Sequence, residues 1–179
     1  MTDDTALEAA LAAIAERGAI GERSLPVAIA HADQFAACVP ATAQRLADLG
    51  SGGGLPGLVV AVRCPWVQVT LVERRTRRAD LLLRAVRSLG LGDRVQVVGD
   101  DVRVVAETHP HSFDVVTARS FAAPPITARW AGVLLVPGGL LIVSEPPTDE
   151  QDRWPAAVLD AAGLLDLGRD QGVRRFQRR

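Results

Sequence analysis

Lysine is absent from this chain. All 20 basic residues among its 179 are arginine, so no lysine can serve as nucleophile, Schiff base or phosphate clamp. P-loop NTPases and pyridoxal-phosphate enzymes are thereby excluded. Tyrosine is absent as well, and three Trp and four Phe are the only aromatic residues. That scarcity argues against an aromatic-rich β-sandwich and for Val/Leu strands covered by Ala/Leu helices. The two cysteines, Cys38 and Cys64, lie far apart and match no ligand spacing. They read as reduced, partly buried residues of a cytosolic protein, not as a disulfide or a zinc site. No apolar run approaches the ~20 residues that cross a bilayer, and the acidic N-terminal stretch lacks a basic-then-apolar signal pattern. A soluble, cytoplasmic protein is expected. With a net charge of −1, no global field draws it to nucleic acid or membrane.

What is present is apolar: 48% of the residues are hydrophobic, which rules out general disorder. The length suits one domain spanning 1–179. Thr5 and Glu8 form a candidate capping box ahead of Leu7, Leu11 and Ile14 at helical spacing, and Gly18 ends that run. A second helix is expected from Ser24, with Pro26 in its first turn and Val27, Ile29, Ala30 and Phe35 on its apolar side. Residues 1–40 thus read as a helical N-terminal extension. From residue 45 onward apolar runs at 45–49, 67–72, 94–98, 113–117 and 139–143 alternate with helical stretches near 56–63, 77–89, 102–107, 122–132 and 152–162. That alternation predicts a Rossmann-like α/β core over 45–179, with a mostly parallel sheet and helices on both faces. A closing hairpin is expected from 164–167 and 173–177.

The segment joining the first strand to the first sheet helix carries the chemistry. It places Gly50, Gly52, Gly53, Gly54 and Gly57 directly after a strand, where backbone can approach a ligand closely and a helix N-terminus offers free N–H groups. Gly52-x-Gly54-x-x-Gly57 satisfies the dinucleotide fingerprint, with Glu73 about 20 residues later at the end of the next strand. Taken alone, this fits NAD as well as S-adenosylmethionine (SAM). Four features favour SAM. Asp48 precedes Gly50 in a D-x-G-x-G-x-G arrangement, where its carboxylate can organise the loop and face a cationic amino-acid moiety. Helices precede the first strand. Val95-Gln-Val-Val-Gly-Asp-Asp101 ends the third strand in acids suited to an adenine edge, and Pro137-Gly138-Gly139 punctuates the fifth strand as that fold commonly does. On this reading Glu73 accepts hydrogen bonds from both ribose hydroxyls.

Asp48-Leu-Gly-Ser-Gly-Gly-Gly-Leu-Pro-Gly57, Val69-Thr-Leu-Val-Glu-Arg74 and Phe113-Asp-Val-Val-Thr-Ala-Arg-Ser120 together resemble the RsmG (GidB) methyltransferases, which methylate N7 of a guanine in 16S rRNA. The resemblance spans about residues 45–143. It implies a SAM-dependent enzyme of rRNA processing with 16S rRNA or the 30S subunit as partner and no metal. The cofactor contacts it implies are Gly50 and Leu55 in the loop, Val102 and Arg103 by backbone, and Arg119. Arg119 is also the candidate for orienting substrate or cofactor; no other catalytic residue is assigned. Where the family carries a Lys after the fifth strand this chain has Glu145, expected to face RNA with the wrong sign of charge.

Guanine N7 presents an unprotonated lone pair, so proximity and orientation can suffice and no general base is required. Positive charge is local: Arg74, Arg75, Arg77, Arg78, Arg84 and Arg87 cluster on the helix after the second strand, and Arg174, Arg175, Arg178 and Arg179 at the C-terminus. Each cluster reads either as a phosphate contact or as an ordinary solvated face. His109 and His111 make a poor metal site, and His31 reads as a packed core residue or a functional one. Glu145 and the altered N-terminus keep two alternatives open: a divergent methyltransferase of a small molecule or protein, and a SAM-binding protein without catalysis.

Overall fold

The computed structural model describes residues 4–20, 24–146 and 152–179; residues 1–3, 21–23 and 147–151 lie outside the described residues. In chain order the elements are α1 (Asp4–Ala15), α2 (Leu25–Ala37), β1 (Arg45–Leu49), α3 (Gly57–Arg63), β2 (Gln68–Val72), α4 (Thr76–Ser88), β3 (Val95–Val98), α5 (Val102–Thr108), β4 (Phe113–Ala118), α6 (Pro124–Leu134), β5 (Leu135–Ser144), α7 (Ala156–Ala162), β6 (Leu164–Asp170) and β7 (Val173–Arg178). They build one sheet in the order β3-β2-β1-β4-β5-β7-β6. The first five strands run parallel, and β7 is antiparallel to both of its neighbours.

Period-two alternation divides the core between the two faces. On β1, Leu46 packs into a layer with Phe35, Leu58 and Leu82 from the helices α2, α3 and α4. Its neighbours Ala47 and Leu49 point the other way, to Val105, Ala128 and Leu159 from α5, α6 and α7. Full burial of a Leu or Phe of this kind stabilises by about 1.5–3 kcal/mol. The helices α1 and α2 belong to the first layer: Leu7, Leu11 and Ile14 are buried in the same cluster as Val86 of α4. The expected N-terminal extension is therefore part of the sheet's cover.

Local signals were displaced in three places. Thr5 lies inside α1 and not at its N-cap, because the helix already includes Asp4. Ser24 stands at the N-cap position of α2 without a side-chain capping bond, with Pro in the first turn, but the buried side is Ala28, Ile29, Ala32, Phe35 and Ala36, while Val27 is 57% exposed. Finally, β5 begins at Leu135, so Pro137, Gly138 and Gly139 lie within it. Phe113 opposes Leu135 and Val115 opposes Leu140, which makes the Pro-Gly-Gly a bulge with Gly138 at φ +79°. The expected closing hairpin forms as β6 and β7. Gln171 and Gly172 connect them with both φ values positive, the two-residue turn that matches strand twist.

The candidate active site

Strand order reverses at β1, whose neighbours are β2 and β4. Ligands of open α/β sheets bind outside the carboxyl ends of the strands at such a point, and the glycine loop sits there. It is pinned to β2 twice: Ser51 N donates to Val72 O at 3.0 Å, and Gly52 N donates to Glu73 Oε2 at 2.9 Å. The other Glu73 oxygen, Oε1, accepts from Arg75 N at 2.8 Å. Glu73 is 5% exposed. Each of its oxygens thus holds one backbone N–H, while a carboxylate offers about four lone-pair positions.

Behind the loop Asp48 is 1% exposed. Its Oδ1 accepts from Thr117 Oγ1 at 2.7 Å. Oδ2 has no well-formed hydrogen bond and lies where a Cβ on Gly57 would come to 2.6 Å of it. Burial pushes its carboxyl up to about 6; bonds from Thr117 and Ser51, the Gly57 amide and the Arg119 charge oppose the rise. The front of the loop is equally crowded. A Cβ on Gly53 would strike the Ile20 side chain and come to 2.7 Å of Ala19 O, so only glycine lets the connector after α1 lie against the loop.

Two cavities open at this edge. The larger, about 930 Å³, is lined by Gly50, Gly52, Leu55, Arg119, His31 and Glu145 among others. The smaller, about 510 Å³, is bounded by Glu73, Asp101, Val102, Arg103, Phe121 and Trp130. Gly50, Arg78 and Ser120 line both and mark their junction. Ser120 is held at φ +55°, a conformation unusual for a side chain larger than glycine and concentrated at functional turns.

Of the residues expected at the site, Gly50, Gly52, Leu55 and Arg119 line the larger cavity, and Glu73, Asp101, Val102 and Arg103 the smaller. Asp48 and Gly54 line neither; they support the loop from behind. The Arg103 amide, one of the two backbone donors expected to meet a cofactor, is given at 3.0 Å to Asp101, whose carboxyl that bond holds below its ordinary range.

Arg78, which the sequence reading grouped with the arginine cluster of α4, lies at the cavity junction, and the apolar wall of Phe121, Ile126 and Trp130 was missed altogether. Phe121 immediately follows the Thr-Ala-Arg-Ser turn, so its position was a findable signal. His31 lines the larger cavity half-buried, edge-on to Phe35 at 5.5 Å.

Glu145, expected to face RNA with the wrong sign of charge, is 6% exposed, lines the larger cavity, and its Oε1 accepts from Trp154 Nε1 at 2.7 Å. The two arginine clusters also differ. At the C-terminus Arg174 pairs with Asp152 at 2.9 Å and Asp166 at 2.5 Å, Arg178 donates to Leu135 O at 2.6 Å, and Arg179 pairs with Asp160 at 2.6 Å. Arg74, Arg75, Arg77, Arg84 and Arg87 are exposed and form no ion pair among the described residues.

The family model described as GidB, rRNA small subunit methyltransferase G, matches residues 11–155. The ribosomal RNA small subunit methyltransferase G of Salinispora tropica is 39% identical over 158 residues, covering 82% of this chain and 64% of that protein. Its counterpart from Rubrobacter xylanophilus is 37% identical over 145 residues, covering 76% of this chain and 55% of that protein. The chain therefore spans between about a half and two-thirds of the length of these curated relatives. Among solved structures, cofactor-bound Rv0187 from MTB superposes with a TM-score of 0.69 at 20% identity, covering 98% of this chain and 90% of that chain. An O-methyltransferase family protein from Burkholderia thailandensis gives 0.70 at 17% identity, over 85% and 56%. At these identities the likeness speaks for the fold, which is the Rossmann-like fold of methyltransferases.

Proposed function

Since this chain belongs to the GidB family of rRNA small subunit methyltransferase G proteins, we propose that it binds SAM across the two joined cavities and transfers its methyl group to N7 of a guanine in 16S rRNA. The observation that carries this reading is Glu73. Its carboxylate holds the glycine loop through Gly52 N and still has acceptor positions for two vicinal hydroxyls in the smaller cavity.

The residues present suit the cofactor. Phe121, Ile126 and Trp130 offer an apolar wall for a flat base, with Asp101 beside it to accept from an exocyclic amine. In the larger cavity, the Arg119 guanidinium matches a carboxylate in charge and geometry. SAM supplies, when bound, a sulfonium methyl group open to in-line displacement. The chain's own work is placement. Glu73 holds the sugar, and Gly50 keeps clear the space beside Phe121 that a side chain would fill. Arg119 and Ser120 define the mouth through which the acceptor enters. Because the N7 lone pair would displace the sulfonium without losing a proton, the chain needs no general base; orientation can supply ~7–11 kcal/mol of the barrier. The exposed arginines of α4 are the proposed phosphate contacts to the 30S subunit, and that substrate implies a cytoplasmic enzyme.

Calorimetric titration with SAM, S-adenosylhomocysteine and NAD tests the cofactor. SAM-type ligands are expected to bind, and Glu73→Ala to weaken them at least tenfold, ~1.4 kcal/mol; binding unchanged in that variant sinks the ribose assignment. Tritiated methyl transfer to unmethylated 30S subunits tests the substrate. No incorporation with cofactor binding intact would move the assignment to a small-molecule or protein acceptor.

A further inference from the structure

Glu145 is the carboxylate of the larger cavity that the proposed reaction leaves without a task. It follows β5, and the register Ala118 opposite Val143 puts it two residues past the paired strands, level with Ser120 at the cavity junction. Its setting is rigid. The Glu145 amide donates to Gly172 O at 2.8 Å, Oε1 accepts from Trp154 Nε1 at 2.7 Å, and the Trp154 ring packs on Phe176 with centroids 4.6 Å apart. Arg119, Arg153 and Arg169 line the same cavity, yet among the described residues no guanidinium pairs with this carboxylate. Oε2 has no partner among the described residues either, and it is not a sealed buried atom. On the wall of this cavity, Oε2 is a fixed acceptor that a donor of a bound guest can claim in place of water.

We propose that Glu145, held by Trp154, reads the Watson–Crick edge of the acceptor base and so selects guanine. The inference deepens the proposed function and rests on it. Guanine alone among the RNA bases carries two adjacent donors on that edge, N1–H and the N2 amino group, which match Oε2 and the second acceptor position of Oε1 beside the Trp154 bond. Adenine, cytosine and uracil each offer one. N7 lies on the opposite side of guanine, so a base gripped this way presents N7 away from Glu145, into the cavity that the glycine loop also lines. Unstacked bases of single-stranded RNA are commonly read by such edge contacts, and a site built to satisfy them rejects an analogue lacking a donor strongly.

Trp154 also dictates what a conservative change does. In Glu145→Gln the amide oxygen would stay with Trp154 Nε1, and the NH₂ group would turn to the cavity, donor against donor. The test is calorimetric titration of the full chain, loaded with S-adenosylhomocysteine, with guanosine, inosine and adenosine 5′-monophosphates; inosine lacks only the N2 amino group. The wild type is expected to prefer the guanosine over the inosine nucleotide by ~10-fold or more. Glu145→Gln should erase that preference with S-adenosylhomocysteine affinity unchanged, and Trp154→Phe should reduce it. Equal affinities in the wild type, no detectable nucleotide binding, or a preference that survives Glu145→Gln would overturn the assignment. Should Glu145→Gln not fold, a preference undiminished in Trp154→Phe does the same. Failure of the proposed activity reads differently: a chain that discriminates these nucleotides but methylates no 30S subunit keeps the base subsite and loses the reaction.

Discussion

At Asp48, burial and hydrogen bonding act in opposite directions. Loss of water raises its carboxyl from 3.8 to about 6, and the bond from Thr117 with the other donors limits the rise. A folded-state value above the unfolded one means the native protein keeps a proton that the unfolded chain has released between those pH values. Its contribution to stability is therefore fully present below about pH 4, is lost as pH rises towards about 6, and is level above that. A rise of this size corresponds to about 3 kcal/mol. In Asp48→Asn the ionisation is gone. Chemical denaturation of both proteins across this range should show the wild type losing up to about 3 kcal/mol relative to the variant as pH increases; a difference that stays flat contradicts the burial argument. The sequence reading made this residue a loop organiser; its side chain lies behind the loop, bonded to Thr117. What could not be read was its depth, because the partner that satisfies it, Thr117, lies 69 positions away and meets it only through the β1–β4 pairing.

Among the elements, β7 shows how local composition misleads. Its arginines look from sequence like a basic tail, but Arg174 sits between Asp152 and Asp166 with its guanidinium 5.4 Å from the Phe176 ring centroid. Its side chain is 16% exposed, so Arg174→Ala should destabilise the fold by about 1–2 kcal/mol, seen as a lower denaturant midpoint, while leaving affinity for rRNA unchanged. Helix α4 is the opposite case. Arg77→Ala, Arg84→Ala and Arg87→Ala combined should leave the midpoint nearly unmoved and reduce the slope of log affinity for rRNA against log salt by about 2–3; an unaltered slope removes α4 from the interface. The strands of the parallel core could be placed because buried runs of Val and Leu between glycine turns have few other homes. Bulges could not: Pro137 to Gly139 and Gly168 interrupt strands at points set by their partners, and a glycine reads the same in a turn as in a bulge. The aromatic wall was hidden for a related reason. Phe121 and Trp130 belong to different segments and face one cavity only because α6 folds back over β4.

Taken whole, the molecule is a sheet with its chemistry along one edge, and that edge joins the helical layers of both faces. A ligand bridging the two cavities would touch α2, the β1 loop, α4, α5 and α6 together. Binding should therefore stabilise the entire cooperative unit. At a free concentration of S-adenosylhomocysteine about 100 times its dissociation constant the gain is about 2.7 kcal/mol, readable as a shift in melting temperature that NAD does not reproduce. An equal shift with NAD would return the loop to the dinucleotide reading.

The missing side chain at Gly53 carries a last implication. Ala19 and Ile20 occupy the volume a methyl group would need, so the stretch leaving the first helix forms one wall of the larger cavity, the proposed acceptor chamber. Tuning of ligand grip is then available to residues that never meet the ligand. Swaps in the N-terminal helices that shift this wall by less than an atomic diameter will register as altered affinity, and selection for a different guest can work there while the glycines remain as they are.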